Sequence, residues 1–101
     1  SLSGTPDLLG YNTSGNFFTV ELKVTKSNKL KFSPHQIAFH HDHPKNSFII
    51  AEALDPRSAK HVQCYMYPGS RITELAACGL ELDPLCLSLE ACGLYLEALG
   101  A

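Results

Sequence analysis

The chain has 101 residues, of which 45% are hydrophobic and 18% charged, with a net charge of −2; this composition fits one small globular domain and excludes disordered, collagen-like and repeat architectures. Its apolar runs span only a few residues and no basic-then-apolar leader opens it, so neither a membrane span nor a secretory signal is predicted, and a soluble cytoplasmic protein is expected. The four cysteines, Cys64, Cys78, Cys86 and Cys92, include no C-x-x-C pair, which argues against a zinc ribbon or a disulfide scaffold and predicts buried free thiols.

The small net charge hides an asymmetry. Residues 1–71 carry all eight Lys and Arg against five acids, whereas residues 72–101 carry five acids and no base. A polyanion would therefore meet the N-terminal part and avoid the C-terminal part. Lys23, Lys26, Lys29 and Lys31 fall within nine positions and form the densest basic segment.

Residues 7–11 are a short apolar strand candidate, followed by turn chemistry at residues 12–16, where Gly15 is free to adopt a positive φ. Residues 17–25 are rich in β-branched and aromatic side chains, with Phe18, Val20, Leu22 and Val24 alternating against Phe17, Thr19, Glu21 and Lys23; a strand with one apolar face is predicted. Glu21 and Lys23 then share a face, and a hairpin from the first strand can bring Asp7 beside them. After a basic loop, Ser33, Pro34 and Gln36 combine an N-cap, a first-turn proline and a capping box, predicting a helix that ends by about Asp42, before Pro44. Residues 47–54 are apolar throughout and predict a central strand; residues 61–67 predict a fourth, ended by Pro68 and Gly69.

Beyond that point the pattern turns helical. Ser70 is expected to cap a helix through Cys78 that stops at Gly79, and a second helix is expected over residues 84–99. Its leucines spread around most of the circumference, which predicts burial on several sides, either deep in the core or in a subunit interface, and a homodimer formed through this helix is expected. The expected fold class is α/β, a mixed four-stranded sheet in β-β-α-β-β order flanked by helices, with residues 1–69 as the core and 70–101 as a helical part.

The chemistry lies in the spacing of Asp7, Glu21 and Lys23. Two carboxylates aimed at one point can hold a hard cation such as Mg²⁺ or Mn²⁺, and a lysine on the same strand face can orient or deprotonate a water or neutralise a phosphate. Phosphodiester hydrolysis needs those functions. Histidines His40, His41 and His43 with Asp42 offer a transition-metal reading, but neighbouring helical positions point about 100° apart, and histidine suits a helix C-terminus electrostatically. A solvated terminus or a loop facing DNA is expected rather than a zinc site, with His40 or His35 the ones that could assist at the site. Every cysteine sits in an apolar or acidic stretch that would raise its thiol pKa, which argues against Cys-His catalysis.

In this order, Gly4-Thr5-Pro6-Asp7, Glu21-Leu22-Lys23 and Ser33-Pro34-His35-Gln36 resemble the PD-(D/E)XK nuclease superfamily. The closest likeness is to the small virus-type replication-repair (VRR-NUC) and Holliday-junction-resolvase branch, in which G-x-P-D precedes a hairpin, E-x-K lies on the next strand and S-x-x-Q opens the following helix. The resemblance covers residues 4 to about 67. It implies a restriction-endonuclease-like core and a Mg²⁺- or Mn²⁺-dependent DNA endonuclease acting on branched or structured DNA, of a kind carried by phages and mobile elements. It further implies that Asp7, Glu21 and the backbone carbonyl of Leu22 bind metal, that Lys23 activates water and that Gln36 sits beside the metal. Lys26, Lys29, Lys31, Lys45 and Arg57 would contact DNA phosphates, giving affinity without sequence information. Members of the superfamily usually add an acidic ligand from a helix before P-D; the six residues ahead of Asp7 contain no acid.

Overall fold

The computed structural model describes residues 6–54 and 62–100. Four strands form one mixed sheet in the order β1-β2-β3-β4, with β1 Leu8–Tyr11, β2 Phe17–Thr25, β3 Ser47–Leu54 and β4 Val62–Pro68. The outer pairs β1/β2 and β3/β4 are antiparallel, while β2 and β3 run parallel. Parallel neighbours need a crossover, and helix α1 (Pro34–Asp42) supplies it. Helix α2 (Ile72–Cys78) packs beside α1 on one face of the sheet, and helix α3 (Leu89–Glu97) lies on the other. The expected α/β class with a mixed four-stranded sheet is what the chain adopts.

Strand alternation divides the core in two. Val20, Phe48, Ile50 and Met66 point toward α3 and meet Cys92, Leu96 and Leu99. Ile49, Ala51 and Tyr67 point the other way and meet Ile37 of α1 and Ile72 and Leu75 of α2. Strand β3 is buried from Ser47 through Ala51, as its unbroken apolar run predicts for a central strand. On the α2 side, Tyr67 donates its hydroxyl to the Leu82 carbonyl at 2.9 Å, so a fully buried phenol keeps a partner.

Local chemistry sets the element ends. The hairpin between β1 and β2 closes through Gly15 at φ 83°, with the Asn12 amide donating to the Asn16 carbonyl at 3.0 Å. Helix α1 starts at the predicted capping box: the Ser33 hydroxyl accepts from the Gln36 amide while the Gln36 side chain accepts from the Ser33 amide. Gly79 ends α2 with φ 63°, and a side chain there would strike the Asn28 carbonyl, which accepts a 2.7 Å bond from the Leu80 amide. Only glycine satisfies both the left-handed backbone and that close approach.

Several expectations need correction. Helix α2 is not capped by Ser70, which lies in a 3-10 turn (Gly69–Arg71); no side chain caps α2, and Arg71 instead pairs with Glu74 in its first turn. The final helix begins at Leu89 rather than at Pro84. Residues 84–88 include a segment that bridges β4: the Leu85 amide donates to Met66 at 2.7 Å and the Met66 amide to Cys86 at 3.1 Å. The outer backbone edge of β4 needs hydrogen-bond partners, and this outweighs the helical preference of the leucines; Ser88 then caps α3 through the Ala91 amide. Cys64 and Cys92 are buried as expected, but Cys78 is exposed and Cys86 half-buried. His41 and His43 are exposed, whereas His40 is fully buried. No helix among the described residues is long and apolar enough to cross a membrane.

Candidate active site

Four side chains predicted from sequence meet at the end of β1, where the β1/β2 ladder stops. The last pair in the ladder is Leu8 with Val20, and the next inward-pointing amide of β2, that of Leu22, has a carboxylate in place of a strand carbonyl. It donates to Asp7 Oδ2 at 2.8 Å. Because a strand residue sends its N–H and C=O toward the same edge, the Leu22 carbonyl leaves β2 on the edge that Asp7 occupies.

Glu21 and Lys23 flank Leu22 and point to the α1 side of the sheet. Lys23 Nζ donates to Gln36 Oε1 at 3.1 Å and sits 5.1 Å from the centre of the Phe32 ring, a cation–π contact that fixes the ammonium. Gln36 therefore serves two purposes through one oxygen, since the same Oε1 accepts the Ser33 amide of the capping box at 2.9 Å. Gln36 also favours the charged form of Glu21, as the smallest of the influences on that carboxyl. The helix start and the site are thus one construction, with α1 oriented by the group that positions Lys23.

Glu21 is 2% exposed and faces Asp7. Burial, and then the hydrogen bond and charge of Asp7, push its carboxyl up to about 7, against the smaller opposing effects of Lys23 and Gln36. Asp7 moves the other way: the hydrogen bond with Glu21 holds it below the usual carboxylate range, helped by the Leu22 amide and Lys23. Glu21 thus holds its proton to higher pH than a free carboxyl does, and a cation bound between the two groups would displace it. Among the described residues, no cluster of three or more His, Cys, Asp or Glu side chains is placed to hold a metal ion. Mg²⁺, however, is commonly held by one or two carboxylates with waters and substrate phosphate completing its shell. Asp7, Glu21 and the Leu22 carbonyl fit that donor set.

Lys26, Lys29 and Lys31 are exposed in the loop joining β2 to α1, and Lys45 is exposed in the turn before β3; Arg57 lies outside the described residues. Neither histidine singled out as an assistant joins the site. His35 is exposed, and His40 is buried with Nδ1 2.5 Å from Ser47 Oγ. That contact ties α1 to the start of β3 one turn after Gln36, a positioning role that the local sequence conceals because Ser47 is reached only through the fold. Asn12 is a second residue that sequence reading missed. Its amide donates to the carbonyls of Leu96, at 3.0 Å, and Leu99, at 2.9 Å, while its Oδ1 accepts the Ser14 and Asn16 amides.

Comparison of the chain with known protein families, with curated proteins and with solved structures finds no match.

Proposed function

We propose that this protein is a divalent-metal-dependent deoxyribonuclease with a restriction-endonuclease-like core, cutting phosphodiester bonds in branched or structured DNA. The observation that carries this reading is the meeting of Asp7, Glu21, Lys23 and Gln36, brought from three separate segments onto one patch. Asp7, Glu21 and the Leu22 carbonyl would hold Mg²⁺ or Mn²⁺, which when bound neutralises phosphate charge and makes a water more acidic. Lys23, held by Gln36 and Phe32, would orient the attacking water and offset the charge that builds on the phosphate oxygens. Gln36 keeps that ammonium in place through an amide already locked by the helix cap. Lys26, Lys29, Lys31 and Lys45 would bind backbone phosphates and set register without reading bases.

The test is cleavage of labelled duplex, nicked, flapped, single-stranded and four-way-junction DNA with Mg²⁺, Mn²⁺ or EDTA. Cutting should require the metal, favour one branched substrate, and fall about 100-fold or more in Lys23→Ala. The carboxylate count favours a second reading, a nuclease scaffold that binds nucleic acid without cutting it. In that case DNA binding persists, no substrate is cut, and Mn²⁺ uptake is absent both in the intact protein and in Asp7→Ala.

A further inference from the structure

Strand β2 has two working faces. Glu21 and Lys23 point to the carboxylate patch, while Val20, Leu22 and Val24 point to the opposite side, into a groove of about 740 Å³ between the β1/β2 sheet face and α3. The groove is overwhelmingly apolar, and its rim is open: Leu22 is 46% exposed, Val24 61% and Leu89 70%. Gly93 lowers the helix wall, since no atom lies within 4 Å of the place a side chain would occupy. A contiguous apolar surface of this kind on a small domain marks an interaction site.

The charge around the groove narrows the occupant. Glu52 lines it and Glu90 follows Leu89 on the exposed side of α3, while Lys23, which also lines it, has its ammonium held by Gln36; α3 itself carries Glu90 and Glu97 and no base. A second copy of this chain presenting α3 would set acid against acid. Nor can the chain's own basic segment fill the groove of a neighbour, because Leu30, the apolar residue among Lys26, Lys29 and Lys31, is only 5% exposed in the core. We propose that the groove docks a short amphipathic segment of a partner protein, apolar on one face and flanked by lysine or arginine. The groove and its charge exist whether or not the opposite face of β2 cuts DNA, so the site stands apart from the nuclease reading. Because Leu22 supplies both its amide to Asp7 and its side chain to the groove, such a partner would sit directly behind the patch.

The experiment titrates the full chain against a fluorescein-labelled leucine–lysine amphipathic peptide, with a leucine–glutamate peptide of the same length as control, reading anisotropy at low and high salt. The lysine peptide should bind saturably and the glutamate peptide should not. Replacing exposed apolar groups in Val24→Gln/Leu89→Gln should weaken binding about tenfold or more. Removing charge in Glu52→Gln/Glu90→Gln should weaken it several-fold and flatten the salt dependence. Circular dichroism confirms that each variant is folded. Absence of saturable binding, equal binding of the two peptides, or indifference to Val24→Gln/Leu89→Gln overturns the proposal. Sedimentation of the intact chain as a dimer that Leu89→Gln dissolves would assign the groove to a second copy instead, and also overturns it.

Discussion

Glu21 is a carboxyl group lodged against another carboxyl, with one lysine and one amide to balance it. Its folded-state pKa is about 7, above the ordinary 4.5, so between those values the folded chain holds a proton that the unfolded chain has released. Stability must then decrease as pH rises through this window, and ionisation above it leaves the fold weakened by about 1–2 kcal/mol after allowance for solvent screening. His40 acts with the opposite sign. Burial lowers its pKa from 6.5, so as pH falls below that value the unfolded chain takes up a proton that the folded one refuses, and stability is lost on the acid side. Thermal melts in EDTA across this range should separate the two. Glu21→Gln removes the decline toward alkaline pH and exposes the acid-side loss belonging to His40. A Glu21→Gln melt that keeps the full alkaline decline would show that Glu21 titrates as an ordinary glutamate.

At the level of elements, the clasp made by Asn12 has the largest expected effect. One buried amide satisfies carbonyls at the end of α3 and, through its oxygen, two amides of the β1–β2 hairpin; Glu97 adds bonds to Thr13 from the helix side. Asn12→Ala strands these groups and should destabilise the fold by about 2–3 kcal/mol in urea denaturation. Strands β2 and β3 and helix α1 were legible in sequence because alternation, an apolar run and a capping box are local signals. The site was legible for a related reason: Glu21 and Lys23 are fixed to one face by the strand repeat, and Gln36 by its place in the cap. What escaped was settled at long range. The start of α3 depends on Met66 needing a partner for its backbone, the burial of His40 depends on Ser47 across the fold, and nothing in the turn residues 12–16 announces that Asn12 reaches Leu96 and Leu99.

For the whole molecule, charge and connectivity make separate predictions. If the basic loop meets DNA, each of Lys26, Lys29 and Lys31 that neutralises a phosphate contributes about 0.9 to the slope of log K against log salt on duplex DNA. Replacing all three with Ala should flatten the slope by nearly three, while cleavage at saturating DNA changes little; an unaltered slope would remove the loop from the interface. The Asn12 clasp joins positions 84 to 87 residues apart, so the hairpin is tied to α3 only after nearly the whole chain has been arranged. Closing so long a loop carries an entropic penalty that adjacent strand pairs avoid. Helix α3 should therefore be the last unit to settle and the first to come loose. Native-state hydrogen exchange should find the amides of Leu89–Glu97 opening together at lower free energy than those of β2 and β3, and the same opening would periodically bare Val20, Phe48 and Met66 to solvent as a window onto the inner sheet.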